Sequence, residues 1–159
     1  MPLREARESD LDTIIDLIRG LAEYEREPAA VTLDRDDLHR HLFGPHPYAE
    51  VLIAETEAGD SAGFALFFHN FSTWTGKPGI WLEDLFVRPE HRRAGYGRAL
   101  LNRLARLAIE RGCGRLEWSV LDWNEPAIAF YRALGARAME EWTTNRLSGD
   151  ALIRLANED

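Results

Sequence analysis

Apolar residues recur along the first half of the chain at helical and then at strand spacing. Leu3 to Ala6 predicts a short strand, and Ser9 or Asp10 caps a helix whose apolar face is Leu11, Ile14, Ile15, Ile18 and Leu21. A second helix is predicted from the Asp34 cap through Leu38, Leu42 and Phe43 to a stop at Gly44-Pro45. Glu50 to Thr56 and Ala62 to His69 are β-rich runs separated by Ala58-Gly59-Asp60-Ser61, the pattern of an antiparallel hairpin. After a loop at Phe71 to Gly79, Ile80 to Arg88 reads as a strand broken by Pro89, with Glu90 to Gly97 as connector. Leu100, Leu101, Leu104, Leu107 and Ala108 set a helix from about Gly97 to Arg111, ended by Gly112 to Gly114. The remainder reads as a strand at Arg115 to Leu121, a helix at Glu125 to Leu134, a strand at Arg137 to Trp142, and a last strand and helical turn within Thr143 to Ala156. This order predicts one α/β domain over residues 1–159, with helices flanking a central mixed sheet.

With 159 residues and 45% hydrophobic content, such a domain buries a core without disulfides or metal. Cys113 is the single cysteine, which excludes an internal disulfide and points to a reducing, cytoplasmic setting. The opening MPLREARESD is charged where a signal peptide needs apolar residues, and no apolar run reaches membrane-spanning length. A net charge of −8 argues against nucleic acid as a partner and suits cationic ligands or plain solubility. His39 and His41 diverge on their helix, so no metal site is expected.

The chemistry concentrates in Trp81-Leu82-Glu83-Asp84-Leu85-Phe86-Val87-Arg88-Pro89, which runs into Arg92-Arg93-Ala94-Gly95-Tyr96-Gly97-Arg98. Strand, glycine loop and helix follow in direct succession. Glycines ahead of a helix let backbone N–H groups converge on an anion, and Arg92, Arg93 and Arg98 supply charge suited to a pyrophosphate. The alternative is that Gly95 and Gly97 only build a tight turn. A Walker loop is excluded because Gly76-Lys77 is followed by Pro78, and a dinucleotide fingerprint because Leu100 stands where a small residue is needed.

Arg92 to Gly97 resembles the coenzyme A pyrophosphate motif of the Gcn5-related acetyltransferases. The similarity takes in Leu21 to Glu25, Phe43 to Pro47, Trp81 to Val87 and Leu121 to Ala136, where the chain resembles the diamine acetyltransferases: the spermidine/spermine and thialysine enzymes. The resemblance implies a mostly antiparallel sheet with a V-shaped cofactor cleft between two central strands, a homodimer, and direct acetyl transfer from acetyl-CoA to a small amine in a ternary complex. It implies Glu83 as the acceptor of the amine proton, with Asp84 able to share that role, and Tyr131 as the acid for the leaving thiolate. Leu85, Phe86 and Val87 would pair with the pantetheine arm, and Arg92 to Arg98 would take the pyrophosphate, including Ala94, Tyr96 and the two glycines. Asn124 and Pro126 would touch the cofactor, although Asn124 equally suits a helix cap. Tyr24, Glu25, Trp74, Glu83, Asp84, Glu117 and Ser119 would bind the amine, Glu25 also fitting solvated surface. Acetylation of a protein N-terminus or lysine, and acetyl-CoA sensing without turnover, are the competing functions on this scaffold.

Overall fold

A computed structural model describes residues 1–158. The chain divides into two compact units, Met1–Leu121 and the segment from Asp122 onward. In the first, five strands form a sheet in the order β1 (Leu3–Glu5), β2 (Glu50–Glu55), β3 (Ser61–Ser72), β4 (Lys77–Val87), β5 (Leu116–Trp118). Neighbouring pairs are antiparallel except β4 and β5, which run parallel. Parallel neighbours need a crossover, supplied here by the helix α3 (Tyr96–Glu110).

Helix α1 (Leu11–Tyr24) buries Leu11, Ile14, Ile15 and Leu17, while Ile18 and Leu21 are half-buried. Asp10 does not cap it with its side chain: the carboxylate instead takes the Arg7 N–H at 2.7 Å and both terminal nitrogens of Arg4. Helix α2 (Arg35–Phe43) does start as predicted, with the Asp34 carboxylate accepting from the N–H groups of Asp36 and Asp37. Ile14 and Leu17 of α1 and Leu42 of α2 pack with Val51, Ile53, Phe64 and Phe86 of the sheet. On the opposite face α3 buries Leu100, Leu101, Leu104, Leu107 and Ala108.

Four predicted elements are corrected. Phe71 to Gly79 is not a loop: β3 and β4 continue as a hairpin to the Ser72–Lys77 pair, leaving only residues 73–76 to turn. Register with β3 carries the chain through Pro78 and Gly79, which local pattern reads as breakers. The strand expected at Arg115 to Leu121 pairs with β4 only over Leu116–Trp118. In the second unit α4 (Glu125–Ala133) and α5 (Gly149–Ala156) form, but the strands expected at Arg137 to Trp142 and after Thr143 do not, since a strand needs a ladder partner and the described residues there have none. Among the described residues no helix is long and apolar enough to cross a membrane.

Candidate active site

Phe67 on β3 faces Leu82, yet the preceding Leu66 faces Asp84, so Glu83 is the extra residue of a β-bulge. In an unbroken strand Glu83 and Asp84 would point to opposite faces. The bulge brings both carboxylates to the face covered by α1, where Phe86 also packs. Trp81 Nε1 donates to Glu83 Oε2 at 2.9 Å, fixing an otherwise exposed carboxylate, whereas Asp84 is half-buried. Glu25 follows the last residue of α1 and closes the cluster. Burial above all, then the charges of Glu83 and Glu25, push Asp84 up to about 6 from 3.8, and burial also raises Glu25.

The Asp84 shift makes a stability prediction. Between about pH 4 and 6 the folded protein holds this proton while the unfolded chain releases it, so stability falls as pH rises through that window and the penalty is complete above it. Asp84→Asn removes the charge at similar size. It is expected to raise the thermal unfolding midpoint at pH 8 and leave it near wild type at pH 4; equal shifts at both values would assign the effect to packing.

The pairing of β4 with β5 ends at Leu82 and Trp118, and β4 runs on through Glu83–Val87 with no strand on that side among the described residues. This splay exposes one backbone edge of Leu85, Phe86 and Val87. Just beyond, Arg93 (φ 64) and Gly95 (φ 89) adopt left-handed conformations that turn successive N–H groups inward, and α3 starts at Tyr96 with its first donors free of intrahelical acceptors. Arg93 and Arg98 are exposed and have no ion-pair or hydrogen-bond partner among the described residues. The cradle thus fits a pyrophosphate by both backbone and charge. Arg92 is engaged differently: its Nε donates to the Val87 carbonyl at 3.1 Å, and its guanidinium stacks 4.8 Å from the Tyr24 ring centre and 5.6 Å from that of Phe86.

The structure therefore gathers Tyr24, Glu25, Glu83, Asp84 and Arg92. Glu117 lies opposite Trp81 on β5, and Ser119 is exposed just past that strand. Trp74 stands apart at the β3–β4 tip, 88% exposed; the six residue steps from Lys77 to Glu83 alone rise about 20 Å. In the second unit Asn124 is buried and caps α4, its Oδ1 accepting from Ala127 N at 3.4 Å. Pro126 sits in the first turn of α4, and Tyr131 is half-buried with its ring 5.5 Å from that of Phe130. Sequence reasoning missed the Trp81–Glu83 hydrogen bond, although the spacing of two residues on a strand was its signal. It also missed Asn70, Gly79 and Arg115, which surround Glu117.

An open strand edge that a pantetheine-like arm can extend, leading to two carboxylates, suits an acyltransferase that draws on a coenzyme A thioester. The chain belongs to the Acetyltransferase (GNAT) family, whose profile matches residues 11–136, and it is an acetyl-CoA-dependent N-acetyltransferase. It is 36% identical over 166 residues to the thialysine N-epsilon-acetyltransferase of Sus scrofa, covering 98% of this chain and 97% of that one. It is 41% identical over 126 residues to the L-ornithine N5-acetyltransferase of Arabidopsis thaliana, covering 79% of this chain and 52% of that one. Among solved structures, an integron cassette protein from the mobile metagenome of V. cholerae superimposes with a TM-score of 0.80 at 26% identity, covering 99% and 98% of the two chains.

Proposed function

We propose that this enzyme acetylates the side-chain amine of a lysine-like diamino acid or short diamine, with the carboxylates at the β4 bulge handling the amine. The observation that carries the reading is the pair Glu83 and Asp84 turned to one face beside the open β4 edge. A lysine-like ammonium titrates near 10.4, so close to neutral pH it must lose a proton before it attacks. Glu83, exposed and oriented by Trp81, accepts that proton directly or through water, and Asp84 with Glu25 holds the cation. When bound, acetyl-CoA supplies an activated thioester carbonyl. The backbone of Leu85, Phe86 and Val87 aligns the pantetheine arm, and the Arg93–Arg98 cradle takes the pyrophosphate. Tyr24, held by Arg92, lines the amine side. Asn124 and Pro126 contact the cofactor, and Tyr131 delivers a proton to the departing sulfur; Glu117 and Ser119 complete the amine site, which Trp74 at the β3–β4 tip does not reach.

Residues 1–159 act as one catalytic domain in this reading, a view supported by a family match that continues from the first compact unit into the second as far as residue 136. A cytoplasmic homodimer is part of the same proposal. The lone Cys113 fits a reducing compartment, and the exposed Trp142, Ile153 and Leu155 of the second unit suit burial in an interface.

Incubation with acetyl-CoA and a panel of amines, followed by free thiol release, tests the activity. Ser72 and Thr73 stand where the spermidine/spermine enzymes resemble Asp-Pro, so a distal ammonium of a polyamine lacks a carboxylate partner worth of order 1.5–3 kcal/mol. Thialysine or a short diamine is expected to show higher kcat/KM than spermine. Clear preference for spermine in a side-by-side assay would overturn that assignment.

A further inference from the structure

The face that carries Glu83 holds a further carboxylate with two dedicated supports. Glu117 pairs with Trp81 across the parallel β4–β5 ladder and so shares its face. Glu117 Oε1 accepts from Asn70 Nδ2 at 3.1 Å and forms an ion pair with Arg115 Nε at 2.7 Å. Asn70 belongs to β3 and reaches β5 across an intervening strand. That reach is open because its partner on β4 is Gly79. A Cβ on Gly79 would lie 2.3 Å from Asn70 Oδ1 and 3.4 Å from Arg115 Cγ, so the missing side chain is the space through which both supports pass. Asn70 Oδ1 itself is buried without a hydrogen-bond donor. Burying an orphan acceptor costs about 1–3 kcal/mol, a cost that a purely structural contact to a part-exposed glutamate does not explain.

Glu117 Oε2 and the terminal nitrogens of Arg115 make no hydrogen bond among the described residues, and the two side chains are 29% and 46% exposed. A fixed carboxylate oxygen beside a free guanidinium end complements an ammonium and a carboxylate carried on one carbon. One strand spacing across and two residues along separate the Glu117 and Glu83 backbones, about 8 Å, the span of a few methylenes.

We propose that Glu117 and Arg115, positioned by Asn70 across Gly79, form a head-group subsite for the α-amino-carboxylate of a diamino acid. Glu117 Oε2 accepts from the α-ammonium, Arg115 donates to the α-carboxylate, and the side-chain amine is thereby directed to Glu83. The assignment rests on the acetyl-transfer reading and narrows it, because a decarboxylated diamine satisfies Glu117 and leaves Arg115 unused.

Ornithine and putrescine differ by that carboxylate and serve as probes. Wild type is expected to favour ornithine in kcat/KM by about tenfold or more, and Arg115→Ala to erase the preference through KM for ornithine, with kcat and KM for acetyl-CoA unchanged. Asn70→Ala is expected to raise KM for both amines several-fold at unchanged kcat, and Gly79→Ala to do the same without altering any polar group. Wild-type preference for putrescine, or an unaltered ratio in Arg115→Ala, overturns the subsite. Calorimetric titration of ornithine into wild type and Arg115→Ala separates the two readings. If no amine releases thiol, acetyl transfer falls, yet a loss of ornithine affinity in Arg115→Ala still supports the subsite and equal affinity refutes it.

Discussion

Tyr131→Phe is expected to lower turnover by about 10²-fold or more while acetyl-CoA affinity stays close to wild type. The substitution keeps the ring, which packs 5.5 Å from Phe130 on α4, and removes only the hydroxyl. The thiolate that leaves the thioester needs a proton, and loss of a positioned acid appears in kcat, whereas loss of packing appears in the unfolding midpoint. Steady-state kinetics with a good amine, paired with calorimetric titration of acetyl-CoA, distinguish these effects. Near wild-type turnover would return Tyr131 to a packing role.

The second large effect is expected at Gly97. Gly97→Val should weaken acetyl-CoA binding by about tenfold or more, since losing even one charge-assisted hydrogen bond from this backbone costs of order 1.5–3 kcal/mol. The fold should accept the change. Gly97 lies in the first turn of α3, and a Cβ there meets only Val87 Cγ2 at 3.9 Å, an ordinary contact. Gly95 is a poorer test because its φ of 89° would strain any side chain. Unchanged affinity of a folded Gly97→Val protein in calorimetry would remove the pyrophosphate from this loop.

Much of the fold is legible in residue spacing. The stripes Leu11-Ile14-Ile15 and Leu100-Leu101-Leu104-Leu107 make their helices, Asp34 caps α2 through two backbone N–H groups, and the turn at Gly59 closes the β2–β3 hairpin. Each of these is local: the groups that satisfy one another lie within a few residues, so a linear pattern contains them. The glycine loop is legible for the same reason, since Gly95 and the start of α3 are chain neighbours.

What the linear pattern lacks is register. Leu66 facing Asp84 while Phe67 faces Leu82 is a property of two strands, and it alone turns Glu83 and Asp84 to one face. The same holds for Asn70, which lies just past the predicted strand until pairing sets it over Gly79 and within reach of Glu117, 47 positions away. Pro78 and Gly79 look like a loop because breaker residues are judged by their own backbone preferences, yet the ladder with β3 holds them extended. In the second unit the apolar residues after Arg137 fit strand or helix alike; the expected helical turn forms as α5 and the expected strands do not, because helix hydrogen bonds close within the segment while a strand depends on a partner. The sequence by itself determined the helices, the Asp34 cap and the glycine loop ahead of α3, whose interactions are short-range. Only the tertiary structure decided which carboxylates share a face and which neighbours hold them, because those distances are set by strand pairing across segments far apart in the chain.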